Sequence, residues 1–227
     1  MVGDRSFSHR DRGYYFRLAL GLKDLSQAKQ IDDAAFGIHH GITIEELMEI
    51  HNHGFVILLF DGDHEMVGQS QILEEPIEML PHSFEKPTSY CYGIAIHPKF
   101  QGHGLGKVLA KEHELLAIER GMEVMEMTVR VENYASLRVM TGLGHKIGRY
   151  LPDFYGPNQT TDARVFLSKR LSPDFPASRD GNDGGVFVPV DYTSPYDAEA
   201  HQRIANLIST GHTGIHVDRN GIYFEKE

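Results

Sequence analysis

Residues 94–110 read IAIHPKFQGHGLGKVLA, which predicts the end of a strand, a glycine loop and the start of a helix. The strand covers residues 90–96, an aromatic and aliphatic run that stops before Pro98, which cannot donate to a strand ladder. The helix is predicted because apolar side chains recur at helical spacing over residues 108–118, and Gly121 ends it. Between them, glycines leave backbone N–H groups uncovered at a helix N-terminus, where unpaired donors and the helix dipole favour an anion. The sequence therefore predicts a loop that binds a pyrophosphate.

Two better-known phosphate loops are excluded by their spacing. A P-loop needs a glycine five residues before Gly106 and Ser or Thr after Lys107, where the chain has Gln101 and Val108. A dinucleotide-binding loop needs its third glycine at the position of Lys107. What remains is the pattern Gln-x-x-Gly-x-Gly over residues 101–106.

This pattern, after a strand that ends Ile-His-Pro, resembles the acyl-CoA loop of the GNAT superfamily of N-acyltransferases. Other parts of that family's pattern follow in order: a strand at 124–131, Asn-Tyr-Ala-Ser at 133–136, a helix, and Gly-Leu-Gly-His at 142–145. The resemblance covers about residues 14–171. It implies an α/β (α+β) chain with the GNAT fold, in which helices flank a mixed central sheet. The alternative is a glycine-rich turn in some other α/β protein.

The resemblance implies a site for acetyl-CoA built largely from backbone groups, with no metal. Backbone groups of Ile94 and Ile96 would pair with the pantetheine arm. Loop N–H groups would hold the pyrophosphate, with the side chains of Gln101 and Lys107 beside it. The N–H groups concerned are those of Gly102, His103, Gly104, Leu105, Gly106 and Lys107. Asn133 and Ser136 would contact the lower pantetheine, although Asn133 could equally be a helix cap.

Acyl transfer from a thioester to an amine also needs a deprotonated acceptor and a proton for the leaving thiolate. The family's usual positions for these tasks hold Met140, Thr128 and Tyr90 in this chain. Tyr90 and Tyr150 are the predicted catalytic residues, although Tyr90 could equally be a packing aromatic and proton removal could also pass through water. Further candidates are Tyr92, Glu74, Glu75 and Tyr155.

The expected activity is an acetyl-CoA-dependent N-acetyltransferase that acts by direct attack of an amine from a small molecule, an amino acid or a peptide N-terminus. The alternative is a non-catalytic, regulatory acyl-CoA-binding module of the same fold, which Met140 motivates because methionine cannot donate a proton.

Composition narrows the class of protein and its partners. The chain has 227 residues, of which 41% are hydrophobic and 24% charged, as in ordinary globular proteins. A formal net charge of −10 argues against a nucleic-acid-binding surface and mildly favours an amine substrate. No stretch approaches the roughly 20 apolar residues of a membrane span.

The single cysteine, Cys91, is expected to be a buried small hydrophobe, and the protein is expected to be cytoplasmic. Four histidines form a metal-like grouping that we interpret as helix-end and loop residues: His39, His40, His51 and His53.

The chain is expected to have four segments. Residues 1–13 are predicted to form a flexible arm, 14–171 the GNAT domain, 172–185 a linker, and 186–227 a C-terminal β-α-β-β appendage. The appendage is too short to bury much surface alone, so it should pack on the main domain or on a second subunit in a homodimer. No family resemblance and no catalytic grouping is visible in it. Residues 74–88, with three prolines, are expected to form a loop near the acceptor site.

Overall fold

The computed structural model describes residues 5–38, 41–77, 87–154, 163–171 and 185–226. The chain divides into two compact units, Met1–Glu123 and Val124–Glu227. The fold is α/β, with mostly antiparallel strands flanked by helices, as the GNAT resemblance implies.

The first unit carries the glycine loop. Its elements are β1 (Arg5–His9), β2 (Arg12–Leu18), α1 (Leu22–Phe36), α2 (Ile44–Asn52), β3 (Gly54–Asp61), β4 (Met66–Leu73), β5 (Thr88–Ile96) and α3 (Leu105–Glu119). The strands lie in the order β1-β2-β3-β4-β5, each antiparallel to the next. The helices pack on β3, β4 and β5. The core joins β3 to α3 through side chains that include Ile57, Leu59, Leu105 and Leu109.

Residues 5–13 are not the predicted arm, since Arg5–His9 forms β1 and pairs with β2. Phe7 stacks on Tyr14 and Phe16 of β2, with ring centroids 5.5 and 4.9 Å apart. Arg5 forms ion pairs with two carboxylates of α3, Glu112 and Glu119. Phe7 and Arg5 thus hold β1 in place, although this strand has too few apolar residues to show the alternating pattern of a strand.

Local signals confirm several other predictions in this unit. Thr43 caps α2 in a capping box, in which its hydroxyl accepts from the Glu46 N–H and the Glu46 carboxylate accepts from the Thr43 N–H. The predicted loop at 74–88 ends one residue early, because Thr88 begins β5. Residues 78–86 of that loop lie outside the described residues.

The second unit contains β6 (Val124–Arg130), α4 (Tyr134–Thr141), β7 (Lys146–Leu151), β8 (Arg164–Arg170), β9 (Val186–Pro189), α5 (Ala198–Ser209), β10 (His212–Asp218) and β11 (Gly221–Lys226). Its strands lie in the order β6-β8-β7-β10-β11-β9. The β-α-β-β succession predicted for the C-terminal segment is therefore confirmed.

The C-terminal segment continues the sheet of residues 124–171 rather than standing apart from it. β10 pairs with β7 through Gly214 and Ile147, and α5 packs on β7, β9 and β10. A Cβ on Gly214 would lie 2.9 Å from the Cβ of Ile147, so only glycine permits this close approach. A strand that follows the predicted linker at 172–185 thus pairs with a strand that precedes it. Residues 172–184 of this linker lie outside the described part of the chain. The predicted homodimer stays a prediction.

Candidate active site

The end of β5 presents backbone groups on the strand edge opposite β4. The His97 N–H donates to the Val67 carbonyl of β4 at 2.9 Å, and backbone groups of neighbouring strand residues alternate between the two edges. The backbone groups of Ile94 and Ile96 therefore point away from β4, the orientation that pairing with a pantetheine arm requires. The Ile96 carbonyl already accepts the side-chain amide of Gln101 at 2.9 Å. Gln101 thus ties the loop to the strand, which gives it a structural role in addition to the predicted one.

The loop takes its shape from two glycines. Gly102 and Gly104 have φ angles of +74° and +85°, a region that other residues enter only at a cost. Gly104 is the N-cap residue of α3, and its carbonyl accepts the N–H groups of Lys107 and Val108 at 3.1 and 3.2 Å. The Lys107 amide is therefore used within the helix. The donors that can face an anion are those of residues 102–106.

The side chains of the loop separate into anchors and exposed groups. Leu105 is buried in the core between α3 and the sheet, whereas residues 101–104 and Lys107 are exposed. Exposed backbone donors, a helix N-terminus and a lysine side chain suit a pyrophosphate group, so this loop fits the phosphates of acetyl-CoA.

His9 lies against this loop, which sequence reasoning missed because it treated residues 1–13 as an arm. Its Nε2 lies 2.6 Å from the His103 carbonyl, and its ring would lie 3.6 Å from a Cβ at Gly104. The alternation of polar residues with Phe7, followed by Tyr14 and Phe16, was the available signal for a β-hairpin that places His9 here.

Asn133 is the N-cap of α4, since its Oδ1 accepts the Ser136 N–H at 3.1 Å. The cap alternative is therefore confirmed. The contacts of Asn133 and Ser136 with pantetheine stay predictions.

The predicted proton-handling residue Tyr90 is 2% exposed on β5, which favours the packing alternative over a catalytic role. Glu74 is not a solvated base, because Arg120 donates to both of its oxygens, one of them at 2.7 Å. Glu75 lies 3.3 Å from His53 Nδ1. Met140 is 4% exposed in α4.

Tyr150 has a polar environment that the sequence did not reveal. Its hydroxyl lies 2.7 Å from Nδ1 of His201 on α5, and His201 Nε2 lies 2.6 Å from the carboxylate of Glu132. His201 is buried. Tyr150 is therefore connected to groups that can exchange a proton.

The structure leaves several predictions untested. His39, His40 and Tyr155 lie outside the described residues. Within the described ranges, no group of three or more His, Cys, Asp or Glu side chains could hold a metal ion. None of the described helices has both the length and the apolarity needed to cross a membrane.

A cavity of about 420 Å³ in the second unit is separate from these groups. Its lining includes Lys146, Lys169 and Arg170, but none of the residues predicted to bind acetyl-CoA or to act in catalysis. We do not assign it to the active site.

A glycine loop with left-handed residues that joins a strand to the N-terminus of a helix is typical of phosphate-binding α/β proteins. The model of the acetyltransferase (GNAT) family matches residues 22–145, more than half of the chain. The chain therefore belongs to the GNAT family and is an acyl-CoA-dependent acetyltransferase. No curated protein sequence matches it.

Solved structures share the fold at low sequence identity. The ribosomal-protein-S18-alanine N-acetyltransferase of Escherichia coli is 16% identical, with a TM-score of 0.55, over 74% of this chain and 99% of that one. Ard1 of Thermoplasma volcanium is 16% identical, with a TM-score of 0.57, over 70% of this chain and 98% of that one. YncA of Salmonella typhimurium, solved with its cofactor acetyl-CoA, is 18% identical, with a TM-score of 0.53, over 73% of this chain and 98% of that one. At these identities the likeness concerns the fold alone.

Proposed function

We propose that this protein transfers the acetyl group of acetyl-CoA to a primary amine of a small molecule, an amino acid or a peptide N-terminus. The observation that carries the proposal is the loop at residues 101–107, where Gly104 in the left-handed region begins α3 and leaves backbone donors exposed to an anion. Residues 102–106 and Lys107 would hold the pyrophosphate, and the outward backbone edge of Ile94 and Ile96 would align the pantetheine arm.

Transfer occurs by direct attack of the amine on the thioester. The nitrogen forms a bond to the carbonyl carbon, the C–S bond breaks, one proton leaves the amine and the coenzyme A thiolate gains one. A covalent acyl-enzyme on Cys91 is disfavoured, because that thiol is 5% exposed and burial raises its pKa to about 12. The acceptor therefore needs to be deprotonated beside the donor.

An amine acceptor is in keeping with the activities named for similar folds. One of these structures is an alanine N-acetyltransferase for a ribosomal protein, and another is the NatC complex bound to a Gag peptide and CoA. A formal net charge of −10 also favours a cationic acceptor. A cytoplasmic location and a homodimer remain predictions from the sequence.

The first test is calorimetric binding of acetyl-CoA, followed on the same sample by thiol release against amines, amino acids and short peptides. Lys107→Glu places a negative charge at the loop, and Lys111→Glu is the matched control on the same helix. Both lysines are exposed, and Lys111 lies one turn, about 6 Å, further from the loop. We expect Lys107→Glu to weaken acetyl-CoA binding about 10- to 100-fold, the loss of a charge-assisted contact, and Lys111→Glu to have little effect.

Equal affinities in the wild type and both variants would refute the assignment of the loop. Tight binding without release in the presence of any amine would instead favour the non-catalytic module.

A further inference from the structure

β1 and β2 form an N-terminal hairpin, residues 5–18, that places one histidine against the glycine loop of the same unit. His9 is the last residue of β1, and its Nε2 lies 2.6 Å from the His103 carbonyl oxygen. A carbonyl oxygen only accepts hydrogen bonds, so Nε2 carries the hydrogen and His9 is the donor. The hairpin precedes residues 22–145, which the family model matches, so His9 lies outside the pattern that identifies the family.

β1 lies lengthwise along α3. Arg5 and His9 point to the same face of the strand, because side chains four positions apart in a strand share a face. Arg5 forms an ion pair with Glu112 of α3 at 3.1 Å, and His9 contacts the loop where α3 begins, at Gly104. The strand spans about 13 Å from Arg5 to His9, and the helix rises about 12 Å from Gly104 to Glu112. The two lengths agree, so both ends of β1 are attached to the same helix.

The middle and the far end of β1 are held independently of the loop. Phe7 stacks on Tyr14 and Phe16 and packs against the core that joins β3 to α3. The side chain of Glu112 is 7% exposed, so salt screens its ion pair with Arg5 less than a surface pair. The strand therefore presents His9 to the loop before any ligand binds, as a preorganised site requires.

The hydrogen bond from His9 fixes the orientation of one peptide group in the loop. A trans peptide is planar, so the His103 carbonyl and the Gly104 N–H point in opposite directions. His9 Nε2 donates to that carbonyl and lies 3.6 Å from the position that a Cβ on Gly104 would take. His9 thus covers one side of this peptide, and the Gly104 N–H points to the other side. Because Gly104 is exposed, that N–H is open to an anion.

The same hydrogen bond makes the Gly104 N–H a better donor. Hydrogen bonds that share a peptide group polarise one another, so a carbonyl that accepts a bond strengthens the donor on its own amide. Gly104 has a φ of +85°, and glycine can leave this conformation more easily than a residue with a side chain. His9 therefore restricts the residue whose amide has to stay in place.

We propose that His9 is a positioning residue of the acetyl-CoA site, which holds the Gly104 N–H toward the pyrophosphate through its hydrogen bond to the His103 carbonyl. This inference rests on the proposed function, because the pyrophosphate is the group that the loop would hold. The N-terminal hairpin is then part of the phosphate-binding site, although it precedes the segment by which the family is identified.

The test compares two acetyl donors, acetyl-CoA and acetylpantetheine, which has the same thioester arm without the pyrophosphate. His9→Ala removes the donor, whereas His9→Gln keeps an N–H near the position of Nε2. Ser8→Ala, at the exposed neighbouring residue of β1, is the matched control. We expect His9→Ala to weaken calorimetric binding of acetyl-CoA about 3- to 10-fold, the share of one hydrogen bond. His9→Gln and Ser8→Ala should bind within about 2-fold of the wild type.

Kinetics separate positioning from a general effect on the fold. In His9→Ala the KM for acetyl-CoA should rise, while kcat and the KM for the amine stay at their wild-type values. The value of kcat/KM with acetylpantetheine should be equal in the wild type and His9→Ala, because this donor has no phosphate for the loop to hold. Equal losses with both donors would mean that His9 only stabilises the fold, and would overturn the proposal.

Two further outcomes would overturn the role of His9 and leave the assignment of the loop intact. One is equal affinity for acetyl-CoA in the wild type and His9→Ala. The other is an affinity in His9→Gln as low as that in His9→Ala, because the hydrogen bond would then not be the cause. A wild type that does not bind acetyl-CoA would overturn the proposed function and, with it, this role of His9.

Discussion

The buried His145 should make the protein lose stability in acid. Its ring is 1% exposed at the start of β7, and burial lowers its pKa from 6.5 to about 3, with Lys169 acting in the same direction. The native protein therefore keeps His145 neutral at a pH where the unfolded chain protonates it. Because the unfolded state binds more protons between those two pKa values, stability contributed by this group is lost as pH falls below 6.5.

The magnitude follows from the distance between the two pKa values. Lowering the pH from 7 to 4.5 moves the solvent 2 units below the unfolded pKa while it stays above the native one. At about 1.4 kcal/mol per unit, His145 alone should cost about 2–3 kcal/mol of unfolding free energy over this interval. That is a large part of the 5–15 kcal/mol by which native proteins are usually stable.

The assay is urea unfolding at pH 7 and pH 4.5 for the wild type and His145→Asn. Asparagine offers an N–H near the position of Nδ1, which lies 3.3 Å from the Met140 carbonyl, but it does not titrate. The wild type should lose about 2–3 kcal/mol more than the variant between the two pH values, whatever the variant costs at pH 7. His216→Asn, at an exposed histidine of the same unit, is the control and should follow the wild type. Equal losses in the wild type and His145→Asn would refute the reasoning.

Three further predictions concern local structure. Gly104→Ala should lower the unfolding free energy by about 1–2 kcal/mol, because φ is +85° at this position. Gly106→Ala should be neutral or stabilising, because its added Cβ would lie 3.9 Å from the nearest neighbouring atom. Urea unfolding of the two variants would measure the difference. Asp24→Asn should lower the unfolding free energy by about 1–2 kcal/mol at pH 7, because Arg17 donates to both oxygens of Asp24, at 2.6 and 2.8 Å, and holds its pKa down. The difference in unfolding free energy between the wild type and the variant should shrink as pH falls below 3.8. A difference that stays constant with pH would contradict this prediction. Thr43→Ala should remove about 1 kcal/mol through the lost cap of α2, measurable as a lower urea midpoint with an unchanged m-value.

Sequence reasoning predicted the elements that carry local signals. Three features have a conformation that depends mainly on residues close to them in the sequence: the glycines at 102 and 104, the capping box at Thr43 and the apolar run of β5. These signals sufficed for the loop and for the family, because backbone geometry at the start of α3 depends on residues that are adjacent in the chain.

The contacts that sequence reasoning missed join distant parts of the chain. Tyr150 and His201 are 51 residues apart, and Glu132 and His201 are 69 apart. A histidine on an amphipathic helix gives no sign of its partners, since many helix histidines are solvent-facing. His9 was missed for a related reason. The strand that carries it, β1, is stabilised by the stacking of Phe7 on two rings of β2, and the sequence of β1 alone does not show this contact.

The position of His201 also shows why the C-terminal segment joins an existing sheet instead of folding alone. Its strands and one helix are too small for a core of their own, so the segment gains stability by extending the edge at β7. That edge is the strand that carries Tyr150. Pairing Gly214 of β10 with Ile147 places α5 beside β7, and His201 on α5 then lies within hydrogen-bond distance of a residue three positions beyond Ile147. The same pairing that stabilises the segment therefore brings the buried imidazole of His201 to Tyr150.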